Sequence, residues 1–181
     1  MSVSRTNRDW SRDTSDANVL ELSWEVFGEL CRALAVKVAQ SGYQPDLIIG
    51  IAKAGVIPGA VTASILQTDF FSMKISRDVG VERVRQRPKI FSAAPREAAG
   101  RKVLIVDEIC SSGDTLRLAI NALRAVGPEE IRTAVSFVRT GGYQPDYHAL
   151  QTDATIVFPW DRQIVDETGE LLVNPAYSEL L

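Results

Sequence analysis

One run constrains the fold of this chain more than any other: Val103-Leu104-Ile105-Val106-Asp107-Glu108-Ile109-Cys110-Ser111-Ser112-Gly113-Asp114-Thr115. Val103 to Val106 are apolar on both faces, the pattern of a strand covered by helices on each side of a parallel sheet. After the two acids, Leu116, Ala119, Ile120, Leu123 and Val126 recur at helical spacing up to a Gly127-Pro128 stop. The spacing predicts a strand over 103–106 and a helix over 115–126. Between them, small residues let the chain curl so that successive backbone N–H groups, the helix N-terminus and the hydroxyls of Ser111, Ser112 and Thr115 face one point. Such a point suits a phosphate.

Asp107 and Glu108 fall at the carboxyl end of that strand, where two carboxylates would repel the same anion unless something lay between. A sugar 5′-phosphate supplies the spacing. Its phosphate takes the turn, while its ring hydroxyls donate to carboxylates, which only accept when ionised. Mg²⁺ can share such a site, because carboxylate and phosphate oxygens are its preferred ligands. Other readings fit less well. A response-regulator receiver carries its acid pair on the first strand and the phosphoacceptor on a later one. A dinucleotide-binding fold needs G-x-G-x-x-G after its first strand, and neither that motif nor G-x-x-x-x-G-K-[ST] occurs. A purely structural Asp-Glu turn stays open, but a second loop upstream weighs against it.

That loop lies in Pro45-Asp46-Leu47-Ile48-Ile49-Gly50-Ile51-Ala52-Lys53-Ala54-Gly55-Val56-Ile57-Pro58, again a strand (47–51), a short turn and a helix (56–66). The order continues with a strand over 70–76, a long irregular segment, the 103–106 strand and 115–126 helix, then strands over 133–138 and 155–158. Ahead of them, Ser23 can cap a helix whose Trp24, Phe27, Leu30, Cys31, Leu34 and Val38 form one apolar stripe. Alternating strands and helices imply an α/β fold with a doubly wound, mainly parallel sheet. Both loops then sit at carboxyl ends of strands, where such sheets bind ligands. The pentapeptide Gly-Tyr-Gln-Pro-Asp occurs at 42–46 and again at 142–146. Two copies so far apart are similar turns, not a repeat architecture.

The acid pair followed by a small-residue loop closing on Thr115 resembles the phosphoribosyl pyrophosphate (PRPP) signature of the type I phosphoribosyltransferases. The resemblance covers about residues 24–161 and is nearest to the xanthine-guanine (6-oxopurine) branch. It implies that fold, with a small hood from the terminal segments, and conversion of PRPP and a nucleobase to a nucleoside 5′-monophosphate and pyrophosphate. Asp107 and Glu108 would hold the ribose hydroxyls and, partly through PRPP, Mg²⁺. The turn Ile109, Cys110, Ser111, Ser112, Gly113, Asp114 and Thr115 would hold the 5′-phosphate. Ala52, Lys53, Ala54 and Gly55 would hold the pyrophosphate, with a cis peptide at Ala52-Lys53. Asp107, Glu108 and Lys53 are thereby the implied catalytic residues. Two departures stand out: Glu108 where Asp is usual, and Ser111 where 6-oxopurine enzymes carry an Asp near the purine N7.

For the base, the resemblance points to Arg139, where Lys is usual, and to the segment 153–161 with its Pro-Trp-Asp ending. Ile156, Phe158 and Trp160 are the base-side candidates there. Thr155 stands where an aromatic stacks on the purine, and Phe158 is the substitute. A hydrophobic lid over the sheet is the alternative for Phe158 and Trp160, and the preferred one for Trp160.

Segment 77–89 carries Arg77, Arg83, Arg85, Arg87 and Lys89 against Asp78 and Glu82. By itself it reads as a solvated loop, and it lacks the interleaved aromatics of an RNA patch. By the resemblance it is a flexible loop that closes over PRPP. Residues 1–18, polar and mixed in charge, read as a mobile arm before a single domain over 19–181. A net charge of −3 gives no general reason to expect nucleic acid or membrane partners. Cys31 and Cys110 have neither zinc nor thioredoxin spacing, and a lone His148 builds no His-based metal site. Without a secretory or membrane-length apolar segment, the expected location is cytoplasmic, and the family habit implies a homodimer. A PRPP- or nucleotide-sensing regulator on the same fold is the non-enzymatic alternative.

Overall fold

A computed structural model describes residues 18–78, 84–178 and 180, with the side chains of 78 and 84–86 left out. Its main sheet forms from the apolar runs. Strands β2 (Leu47–Ala52), β3 (Asp69–Asp78), β5 (Lys102–Cys110), β6 (Glu130–Val138) and β7 (Tyr147–Gln151) pair in parallel, with β4 (Val84–Ile90) at one edge, in the order β4-β3-β2-β5-β6-β7. The register sets Ile48 opposite Leu104 and Ile105 opposite Thr133. Parallel strands need crossovers, and these are α2 (Val56–Leu66) and α3 (Asp114–Arg124), while α1 (Trp24–Gln40) precedes the sheet. Ser23 caps α1 as expected, its hydroxyl accepting from Val26 N–H at 3.2 Å.

Period-two alternation divides the core. Leu47, Ile49, Ile51, Val103, Ile105 and Val135 pack with Leu116, Ala119 and Leu123 of α3. Ile48, Leu104, Val106 and Ala134 pack with Leu34 and Val38 of α1 and Ala63 of α2. Each central strand is thus apolar on both faces because helices cover both. From β2 the chain winds out to β3 and then back across to β5, so the sheet's switch point lies between the carboxyl ends of β2 and β5.

Several sequence expectations need correction. The segment after β3 is not irregular throughout: Val84–Ile90 forms β4 beside β3. Five intervening residues are too few for a parallel crossover, so this edge pair is antiparallel. Residues 155–158 do not join the main sheet. Thr155–Val157 (β8) pairs in parallel with β1 (Val19–Glu21), and the sheet's last strand is Tyr147–Gln151. A hairpin of β9 (Gln163–Val165) and β10 (Leu171–Val173) follows. The 103–106 strand runs on through both acids to Cys110, and α3 starts at Asp114, so the turn itself is only 111–113. Residues 1–17 of the expected 1–18 arm, and Arg83, lie outside the described residues.

The two Gly-Tyr-Gln-Pro-Asp copies do the same work. Each leads into a strand, and each closing Asp pins the strand beside it. Asp46 accepts from Lys102 N–H at 2.9 Å, and Asp146 accepts from Thr133 N–H and Oγ1–H at 2.7 Å each.

The chain forms two compact units. One holds the sheet, over Gly28–Arg77 and Gln86–Thr152, and the other comprises the described parts of Met1–Phe27, Asp78–Arg85 and Asp153–Leu181.

Candidate functional site

The turn after β2 is built on glycine because nothing larger fits. A Cβ on Gly55 would stand 2.7 Å from Asp107 Oδ1 and 2.7 Å from the Ile51 carbonyl oxygen. Gly50 on β2 and Gly59 on α2 are crowded too: a Cβ on Gly59 would lie 3.2 Å from Gly50 Cα. These small residues let α2 start directly over β2, which carries the 52–55 turn in against the first acid of β5. The Ala52–Lys53 peptide is cis, as the resemblance implies, and the Lys53 side chain is exposed. Ala52 and Ala54 are half-buried.

Asp107 is the only charged side chain among the described buried residues, 7 % exposed. Its Oδ1 accepts from Glu108 N–H at 3.0 Å. Burial, then the charge of Glu108, pushes its carboxyl well above the ordinary 3.8. Glu108, half-buried, is the second member of this acid pair. Such a pair lacks positive charge and would gain from a cation or from hydroxyl donors. Among the described residues no group of three or more His, Cys, Asp or Glu could hold a metal. Mg²⁺ would therefore take part of its shell from ligand oxygens and water, which is its usual mode of binding.

The 111–113 turn is held from below. Tyr143 N–H donates to the Ser111 carbonyl at 2.9 Å, Arg139 N–H donates to the Cys110 carbonyl at 3.0 Å, and Gly142 lies against the Ser111 oxygen. Gly113 has φ 77°, and a Cβ there would run into the Tyr143 ring, so both conformation and space require glycine. Ser111 and Ser112 are exposed at the tip, while Ile109 and Thr115 are half-buried. The Ser112 hydroxyl donates to Asp114 Oδ2 at 2.9 Å. Arg77 Nη2 reaches the Ser112 hydroxyl and Asp114 Oδ2, both at 3.1 Å. From α3, Arg117 Nη2 donates to Asp114 Oδ1 at 2.7 Å and to the Ser112 carbonyl at 2.6 Å.

Both thiols are buried, Cys31 on α1 and Cys110 at the end of β5. Desolvation raises the Cys31 thiol to about 11 and lifts Cys110 as well. A thiol-specific chromogenic reagent is expected to find no reactive group in the native protein and two after denaturation; fast native labelling of Cys110 would contradict its burial.

Of the basic segment, Arg77 meets the 111–113 turn, whereas Arg87 and Lys89 are exposed on β4 and the Arg85 side chain lies outside the described residues. Arg139, just past β6, donates through Nη1 to the Thr152 carbonyl at 3.2 Å. In the other unit, Ile156 and Phe158 are buried. Phe158 stacks on Trp160 at 4.7 Å and meets Phe27 edge-on at 6.0 Å, so its ring packs within its own unit and is not an open stacking surface. Arg117 and Tyr143 were not anticipated. The signals were the Asp114-to-Arg117 helical spacing and the second pentapeptide.

With this geometry in view, residues 22–168 match the model of the phosphoribosyl transferase domain family. The chain is 30 % identical over 123 residues to an orotate phosphoribosyltransferase of Marinobacter nauticus, covering 68 % of this chain and 57 % of that one. It thus spans little more than half the length of that relative. It is 27 % identical to the transcriptional regulator GfcR of Methanococcoides burtonii, over 75 % of this chain and 74 % of that one. A purine phosphoribosyltransferase structure from Pyrococcus horikoshii superposes with a TM-score of 0.70 at 28 % identity, covering 83 % of this chain and 99 % of that one.

Proposed function

Because the chain belongs to the phosphoribosyl transferase domain family, we propose that it transfers the phosphoribosyl group of PRPP to a nucleobase, giving a nucleoside 5′-monophosphate and pyrophosphate. The observation that carries this reading is the contact of Gly55 with Asp107, which joins the pyrophosphate turn to the ribose-binding acids. A base nitrogen forms the new bond to C1′ as the C1′–oxygen bond breaks, and the electron pair leaves with pyrophosphate. Asp107 and Glu108 hold the ribose hydroxyls and face the positive charge that grows at C1′. The turn through Ser111, Ser112 and Gly113 fixes the 5′-phosphate, and the 52–55 turn with Lys53 holds the leaving group. Mg²⁺, when bound, neutralises charge on the departing pyrophosphate. Positioning and charge stabilisation supply most of the acceleration.

The proposed base is a 6-oxopurine, guanine or xanthine before hypoxanthine, with Arg139 donating to the exocyclic oxygen. A cytoplasmic homodimer serving purine salvage belongs to the same proposal and rests on family resemblance. Among the described residues no helix is long and apolar enough to cross a membrane.

A regulator that binds PRPP or a nucleotide without turnover is the second reading, favoured by Ser111 in place of Asp and by the likeness to GfcR. Incubation with PRPP, Mg²⁺ and a panel of oxopurines, orotate and uracil separates the two. Bound ligand at about a hundred times its dissociation constant adds roughly 2.7 kcal/mol of stability. A rise in melting temperature with pyrophosphate release supports the enzyme, and a rise without release from any base supports the regulator. No rise with millimolar PRPP and Mg²⁺ rejects both, while turnover of orotate or uracil and of no oxopurine rejects the base assignment.

A further inference from the structure

The phosphate turn already contains an anion of its own. Asp114 is the first residue of α3, and its carboxylate draws in the donors that surround it: Arg77 from β3 and the Ser112 hydroxyl on Oδ2, Arg117 from α3 on Oδ1. The Arg77 contact joins residues 37 apart in sequence. Because β2 lies between β3 and β5 in the sheet, this ion pair runs past the carboxyl end of β2, where the 52–55 turn stands. An arginine that satisfies both an acid and a serine hydroxyl of one turn is placed as a phosphate ligand would place it. Its present partner is a carboxylate of the protein.

We propose that Asp114 is a built-in competitor for the 5′-phosphate, a specificity-determining residue that occupies Arg77, Arg117 and the Ser112 hydroxyl until a phosphate takes them over. The inference rests on the phosphoribosyl reading of the turn and deepens it. A phosphate monoester carries close to two negative charges and three acceptor oxygens, against one charge and two oxygens for a carboxylate. The exchange therefore favours a dianionic phosphate, whereas a carboxylate or sulfate monoanion gains little over Asp114 itself. The residue lowers affinity for every anion and sharpens selection for the doubly charged one. Hydrogen bonds from Arg117 and Ser112 hold the Asp114 carboxyl below the ordinary carboxylate range, so the competitor is ionised at neutral pH.

The test measures binding of PRPP with Mg²⁺ and of ribose 5-phosphate by titration calorimetry to the full chain and to Asp114→Asn. The expected result is an affinity higher by about three- to tenfold for both ligands, the scale of one or two half-exposed charge pairs. Selectivity for ribose 5-phosphate over ribose 5-sulfate is expected to fall in the same variant. Asp166→Asn, a charge removal on the β9–β10 turn, is expected to leave both affinities unchanged and controls for net charge. Arg77→Met combined with Asp114→Asn closes a mutant cycle. The gain on removing Asp114 is expected to shrink once Arg77 is absent, which a merely structural Asp114 does not produce. Asp114→Ser, which keeps an oxygen at the helix start, repeats the measurement should Asp114→Asn fray α3. Binding by the parent chain with equal or weaker binding by both Asp114 variants overturns this inference. Absence of binding to parent and variants alike overturns the phosphoribosyl reading beneath it.

Discussion

Asp107→Asn is expected to melt at a higher temperature than the parent chain and to lose nearly all turnover. The carboxyl is buried beside Gly55 and Glu108, and its proton affinity is raised above 3.8 in the folded state. A raised folded-state value means that this group's stabilising contribution is complete below the unfolded value and is lost as pH climbs through the folded one. Above the unfolded value the raised proton affinity therefore counts against the ligand-free fold, and Asn relieves it while keeping an oxygen for Glu108 N–H. Each kcal/mol recovered raises the melting point of a chain this size by about 2–4 °C. The gap between variant and parent should widen as the pH rises from about 4, because only the parent titrates. Activity should move the other way. Removing the proposed charge-assisted partner of a ribose hydroxyl and of the metal, at about 1.5–3 kcal/mol each, lowers kcat/KM by roughly 10²- to 10⁴-fold. Melting scans across pH with steady-state kinetics check both halves. A variant less stable than the parent at pH 7 would show that Asp107 is a structural acid.

Gly55→Ala is expected to lose both stability and PRPP binding. The backbone at Gly55 has φ −65° and accepts any residue, so the penalty is purely spatial. The new methyl would stand 2.7 Å from the Ile51 carbonyl and from Asp107 Oδ1, and main chain cannot yield as a side-chain tip does. Overpacking of this kind costs about 1–3 kcal/mol and sometimes more. To relieve it the 52–55 turn must withdraw from the acids, which dissolves the junction on which the proposed activity depends. Gly28→Ala is the control: it lies in α1 with nothing within 4 Å of the added carbon, and helix propensity alone should stabilise it by up to about 1 kcal/mol. Urea denaturation of both variants, with PRPP titration of the first, distinguishes a local clash from a general intolerance of alanine. Unaltered binding by Gly55→Ala would separate the turn from the acid pair.

The readable parts of the fold were those whose signal is local. The strand runs at 47–51 and 103–106 are apolar on both faces because helices cover both, and α2 was expected at 56–66 and found there. The strands that escaped notice have weak side-chain patterns. Val84–Ile90 contains two arginines, a lysine and Pro88, and it holds its place as an edge strand through backbone pairing with β3. Tyr147–Gln151 is the opposite edge, half-exposed and short. Residues 155–157 carry a clear strand signal, but nothing local tells which strand they join; their partner is Val19–Glu21, from the far end of the chain.

The sequence by itself determined the type of fold, the family, the acids and the two turns, because each rests on residues adjacent along the chain. Only the tertiary structure decided which distant residues meet. Gly55 is indispensable because Asp107 stands against it, Gly113 because Tyr143 does, and Arg77 reaches the 111–113 turn because β3 carries it there. It also decided that Phe158 packs on Trp160 and Phe27 within its own unit. Spacing along a strand or helix is fixed by backbone geometry and can be read from the residues in order. Contacts between separate segments depend on how the sheet is wound and how closely its elements pack, which no single segment encodes.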